Sequence, residues 1–209
     1  MNHVLVAVGW GIIGAAAGWL ARWGSVKLAL LEGLEPGHRP WQVWGPPILT
    51  AIIFAGLGYV FGAELLLLLR SVFALVLVQV IFFDFEHRLI LDRVLFPSIA
   101  LALVVSLLES PWWAGLATGI GAGLLFTFLA VAGAFLFKTE ALGFGDVKLA
   151  LFMGLLLGWP QIVSALFYGV FLAGAVSIGV IVWRRSLKGT IAYGPYLAAG
   201  ALIVLFQMR

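Results

Sequence analysis

Only three aspartates occur in this chain of 209 residues, Asp84, Asp92 and Asp146, and each stands at the edge of a long apolar run. Asp84 closes the run Leu65–Phe83, whereas Asp146 follows Gly143-Phe144-Gly145 and opens the run Val147–Trp159. Ionisable groups at such edges are costly, about 2.5–3.5 kcal/mol at a helix centre and less near an interface, and they mark function by default. Two carboxylates facing one another cannot both ionise cheaply, so one pKa rises and the pair shares a proton. Such a pair can activate water: the ionised member takes a proton from the water that attacks a peptide carbonyl, and the protonated member donates to the carbonyl oxygen. No metal is required. Gly143 and Gly145 would let a substrate strand or a neighbouring helix approach closely.

Plainer roles exist for the same residues. An aspartate just ahead of an apolar run is a good helix N-cap, which would suffice for Asp146. Asp84 has His87 and Arg88 three and four residues on, at the spacing where helical neighbours meet. Asp92, beside Arg93, reads as a solvated or capping group. Gln79 is rotated by about 140° from Asp84 on a helix and is expected to bond a neighbouring helix. Arg70 is expected to snorkel or to pair with Glu64 or Glu109. His87 reads as a solvated loop histidine, and with His3 and His38 scattered along the chain, no metal site is expected.

These side chains must be positioned by elements that the composition restricts to one class. Sixty-four per cent of the residues are hydrophobic, 10% are charged and the mean hydropathy is +1.16. A soluble domain carries about 25% charged residues, so the chain is expected to be an all-α, polytopic membrane helical bundle. The apolar runs suggest about eight transmembrane helices: Val4–Ala21, Pro46–Phe61, Leu65–Phe83, Val94–Leu108, Trp112–Phe137, Val147–Trp159, Gln161–Trp183 and Ile191–Met208. The second and sixth are short for a span. Residues 1–209 read as a single domain with a short loop at 22–45, and Met1-Asn2-His3 lacks the positive charge of a signal peptide, so the first run is expected to be retained.

Ten of the twelve Lys and Arg residues fall at alternate loops and their edges (Arg22, Lys27, Arg39; Arg88, Arg93; Lys138, Lys148; Arg184, Arg185, Lys188), which places that side in the cytoplasm and both termini outside. All three aspartates then lie at cytoplasmic span ends. The basic excess thus reports orientation, and nucleic-acid binding is disfavoured. Absence of cysteine excludes a disulfide framework, a thiolate zinc site, an iron–sulfur cluster and a cysteine nucleophile. Gly14 and Gly18, and Gly115, Gly119 and Gly123, repeat every fourth residue and are expected to serve close helix packing.

Gly143-Phe144-Gly145-Asp146-Val147-Lys148-Leu149 resembles the GxGDxK(L/F) signature of the type IV prepilin peptidases, membrane aspartic proteases that process pilins and pseudopilins. Phe83-Asp84-Phe85-Glu86-His87-Arg88-Leu89-Ile90-Leu91-Asp92 is similar to that family's first catalytic block, with Leu91 where a proline is usual. Tyr193-Gly194-Pro195-Tyr196-Leu197-Ala198 is similar to its (F/Y)GP(F/Y)LA stretch. The three blocks occur in family order. At the N-terminus the chain departs from the family: Arg22 stands where an asparagine of the GSFLNVV block would fall, and the larger insertion with two CxxC pairs is missing.

The resemblance implies an endopeptidase of the prokaryotic plasma membrane with Asp84 and Asp146 as its dyad. Gly143, Gly145, Lys148, Gly194 and Pro195 would be motif residues open to substrate binding, and Lys148 could tune the dyad. Prepilin or pseudopilin precursors, each a basic leader followed by an apolar helix, would be cut after Gly and before Phe or Met at the cytoplasmic face, with membrane lipid as the surroundings. Proteolysis would use no cofactor. S-adenosylmethionine would enter only if N-methylation of the product is retained, which the missing insertion argues against. The same carboxylates would also suit a proton-coupled membrane transporter, although that would place them near the midplane, often with repeat symmetry.

Overall fold

The computed structural model describes residues 2–137, 142–184 and 192–208. Lys138, Arg185 and Lys188 of the charge argument, and Ile191 at the start of the last apolar run, lie outside them. The described residues form eight helices and no strand: α1 (His3–Leu31), α2 (Pro40–Phe61), α3 (Leu65–His87), α4 (Asp92–Leu108), α5 (Trp112–Phe137), α6 (Phe144–Leu157), α7 (Gln161–Arg184) and α8 (Gly194–Leu205). The expected all-α class therefore holds, and the starts of α3, α5 and α7 coincide with the apolar runs. Five helices, α1, α2, α3, α5 and α7, are long and apolar enough to cross a membrane. The other three are shorter; α6, with 14 residues, is about 21 Å long against a hydrocarbon core of about 30 Å.

The helices fall into two compact units, α1–α3 ending at Arg88, and α4–α8 from Leu89 to Met208. In the first, α1 lies along α2, and α3 packs on both. Gly14 makes this approach possible, since a Cβ there would fall 2.7 Å from Thr50 O and Phe54 Cβ of α2. Trp10 of α1 donates to Ser71 Oγ of α3 at 2.7 Å, and Gln79 Nε2 of α3 donates to Ser25 Oγ of α1 at 3.2 Å, the interhelical bond expected for Gln79. Arg70 lies over the Phe61 ring at 3.7 Å.

In the second unit α6 is the central element, contacted by α4, α5, α7 and α8. Its apolar residues are therefore buried nearly all round, including Leu149, Ala150, Phe152 and Met153. The glycine series on α5 faces α6: a Cβ on Gly119 would fall 2.6 Å from Leu155 Cγ, and one on Gly123 would fall 3.3 Å from Leu151 Cβ. Intramolecular packing accounts for the spacing.

The segment 22–45 read as a loop is largely helical. Residues 22–31 continue α1, residues 40–45 open α2, and the connection shrinks to Glu32–Arg39. An arginine at the end of an apolar run looked like a stop, but the Arg22 charge is met by tertiary partners described below, so the helix continues past it. α1 ends at Gly33 in the left-handed region (φ 71°), with Leu34 N–H donating back to Ala29 O at 2.8 Å. α2 starts on Pro40, whose missing N–H costs nothing there, while Arg39 N–H donates to Gln42 Oε1 at 2.9 Å.

Candidate active site

Asp84 sits in the last turn of α3 and is buried, with 5% of its surface exposed. The helix is closed by Arg88, a non-glycine residue in the left-handed conformation (φ 54°, ψ 39°), whose N–H donates to the carbonyl of Asp84 at 2.8 Å. Around the same turn, Arg22 Nη1 of α1 donates to Glu86 Oε2 at 2.9 Å. Arg22 Nη2 donates to Gly37 O, and Gly37 N–H donates to Glu86 Oε1, which closes a ring of three residues. The Arg22 and Glu86 side chains are only 9% and 4% exposed. His87, read as a solvated loop residue, is instead helical with its side chain only 8% exposed: its Nε2 lies 3.3 Å from Glu86 Oε1, and its ring lies 4.7 Å from that of Phe83.

Asp146 is the third residue of α6, not its N-cap; that place belongs to Gly143. The two form a reciprocal pair, Asp146 N–H donating to Gly143 O at 3.0 Å and Gly143 N–H donating to Asp146 Oδ2 at 3.3 Å. The helix-capping role is therefore real and is played from inside the first turn. Asp146 is 9% exposed and lies outside the five helices able to span the membrane. Burial pushes its carboxyl up to about 6, and the Gly143 N–H bond pulls the other way. A carboxyl poised there can hold or release a proton near neutrality.

The flanking motif residues have identifiable work. A Cβ on Gly145 would come within 3.1 Å of Ile90 Cβ, so the bare backbone admits that side chain. Lys148 Nζ contacts both carboxylate oxygens of Asp92 at 2.6 and 2.8 Å and lies about 5 Å from the Phe96 and Phe144 rings. Gly194 and Pro195 are buried at the head of α8, which packs on α6. Just ahead of them, the Tyr193 hydroxyl is pushed above its ordinary pKa by burial and, secondarily, by the charge of Asp146. Thus Gly143, Gly145, Asp146 and Lys148 share one helix start, Tyr193 at the N-cap of α8 lies within electrostatic reach of Asp146, and Asp84 belongs to the turn at the end of the first unit.

Sequence reasoning did not single out Glu86, Arg22 as its partner, or Tyr193. A signal existed for the first two: an arginine ending an apolar run needs a counter-charge, and the chain has only nine acidic residues. Asp92 is more engaged than a solvated cap, being the ion-pair partner of Lys148. Among the described residues no three His, Asp or Glu side chains converge as a metal site would require.

The sequence profile of the type IV leader peptidase family matches residues 71–178, slightly more than half of the chain. That stretch contains Asp84, Asp92, Gly143, Gly145, Asp146 and Lys148, and ends before Gly194 and Pro195. No curated protein and no solved structure shows significant similarity to the chain.

Proposed function

The chain belongs to the type IV leader peptidase family, and from that premise we propose that it is a membrane aspartic endopeptidase, with Asp84 and Asp146 as its catalytic pair. Its substrates are type IV prepilin-like precursors of pilus or type II secretion systems, cut after the Gly that ends a basic leader and before the Phe or Met that begins an apolar helix. The observation that carries this reading is that the family match encloses both aspartates and that each is buried at a helix end, 5% and 9% exposed.

With one proton shared between the two carboxyls, the ionised member removes a proton from water as its oxygen bonds to the scissile carbonyl carbon. The protonated member donates to the carbonyl oxygen. As the tetrahedral intermediate collapses the C–N bond breaks: the member that took the proton from water gives it to the leaving amine, and the other recovers its proton from the intermediate's hydroxyl as the carbonyl re-forms, which restores the shared proton. Acid and base titrate as a pair, with macroscopic pKa values that belong to both. No cofactor takes part in this sequence of steps.

The distribution of Lys and Arg supports an active site on the cytoplasmic face of a prokaryotic plasma membrane. A precursor would meet the enzyme there with its basic leader in the cytoplasm and its apolar helix in lipid. The test is cleavage of a Gly-Phe precursor peptide by purified protein in detergent or lipid with EDTA present. Cleavage at that bond is expected; activity lost to EDTA and restored by zinc would refute the metal-free mechanism.

A further inference from the structure

We propose that Glu86, clamped by Arg22 and Gly37, is a positioning residue that fixes the turn carrying Asp84. The inference rests on the reading of Asp84 as one of the catalytic pair and adds what holds it. Residues two apart on a helix point about 200° from one another, so Glu86 grips the face of α3 roughly opposite the one that presents Asp84. It acts on Asp84 through the backbone between them.

The turn needs such a grip. The last carbonyls of a helix lack intrahelical partners and helix ends fray; at this end the carbonyl of Asp84 is met by the N–H of Arg88, the left-handed residue at which the backbone leaves the helix. Glu86 ties the turn to two elements distant in sequence, α1 through Arg22 and the α1–α2 connection through Gly37. The clamp is itself braced. Gly37 spends both its N–H and its carbonyl on the ring, and a Cβ at Gly37 would collide with the Gln42 side chain, whose oxygen receives Arg39 N–H at 2.9 Å.

A buried ion pair is a poor device for stability alone, because apolar side chains of similar volume often do as well once desolvation is counted. Retaining one in a chain with only 10% charged residues points to geometry as its use. Arg22 stands where the chain departs from the resembled N-terminal block, so this partner of Glu86 is particular to the chain.

The test uses full-length protein carrying Glu86→Gln, and Arg22→Met combined with Glu86→Gln. The single variant strands a buried guanidinium and could unfold. The double variant leaves no uncompensated charge and keeps an amide oxygen for Gly37 N–H. Circular dichroism and thermal melts establish folding; kcat and KM on the Gly-Phe precursor peptide, and hydrogen exchange of the Phe85–Arg88 amides, read the role. A folded double variant should show kcat lowered at least tenfold, KM within twofold, and at least tenfold faster exchange at those amides with α5 unchanged. A folded double variant with wild-type kcat, or with unchanged exchange, would overturn the proposal. If the wild type cleaves nothing while the double variant still exchanges faster at Phe85–Arg88, the peptidase reading fails and the clamp stands.

Discussion

Lys148 Nζ lies 2.6 and 2.8 Å from the two carboxylate oxygens of Asp92, pinning the second turn of α6 to the first turn of α4. The side chains are 19% and 52% exposed, so water screens the pair and it contributes at most about 1 kcal/mol. Asp92→Asn and Lys148→Gln should therefore each lower turnover by the same factor, below about fivefold, and the double variant should cost no more than either single one. A drop of more than tenfold for Asp92→Asn alone would make it a third essential carboxylate.

The raised pKa of Asp146 has a signed consequence for stability. Its folded value of about 6 lies above the ordinary 3.8, so between these values the folded state binds more protons than the unfolded chain. Unfolding free energy must then fall as pH rises through that window. Measured against Asp146→Asn, which cannot titrate, the thermal midpoint in detergent should decline from about pH 4 to about pH 6 and level off above 7. A difference that grows with pH across the same window would contradict the burial argument.

Close helix approach in the second unit can be tested at two glycines. A Cβ on Gly154 would lie 2.7 Å from Gly119 Cα and from Thr118 O, both backbone atoms that cannot swing away, whereas one on Gly121 meets nothing within 4 Å. Gly154→Ala should cost about 1–3 kcal/mol of stability. Gly121→Ala should be neutral or stabilising by up to about 1 kcal/mol. Equal effects in thermal melts would show that α5 and α6 do not meet at this face.

Product methylation is expected to be absent. A ligand of the size of S-adenosylmethionine occupies a cleft of about 300–1,000 Å³, and the α1–α2 connection offers only Glu32–Arg39 toward building one. Mass spectrometry of the cleaved product after incubation with S-adenosylmethionine should find the new N-terminal residue unmodified. A gain of one methyl group there would overturn the expectation.

Local pattern carried most of the fold because lipid-facing and buried helices alike need unbroken apolar runs. It failed where a charge was neutralised from far away. Arg22 ends its run in sequence, yet the groups that bury it, Gly37 and Glu86, lie 15 and 64 residues away, and no window around Arg22 contains both. Asp146 was legible as a helix-start carboxylate, but its place in the third position depended on Gly143 supplying the cap from bare backbone. Lys148 was noticed for its nearness to Asp146, whereas its partner is Asp92, 56 residues before it.

The central claim, that Asp84 and Asp146 together perform metal-free peptide hydrolysis, is tested most directly by measuring Gly-Phe bond cleavage, with EDTA present, for Asp84→Asn and Asp146→Asn. Asparagine keeps the size of each side chain and removes its exchangeable carboxyl proton. Each single variant should fold, as judged by its thermal melt, and should lose nearly all turnover, at least a thousandfold. Cleavage within tenfold of wild type by either variant would contradict the account.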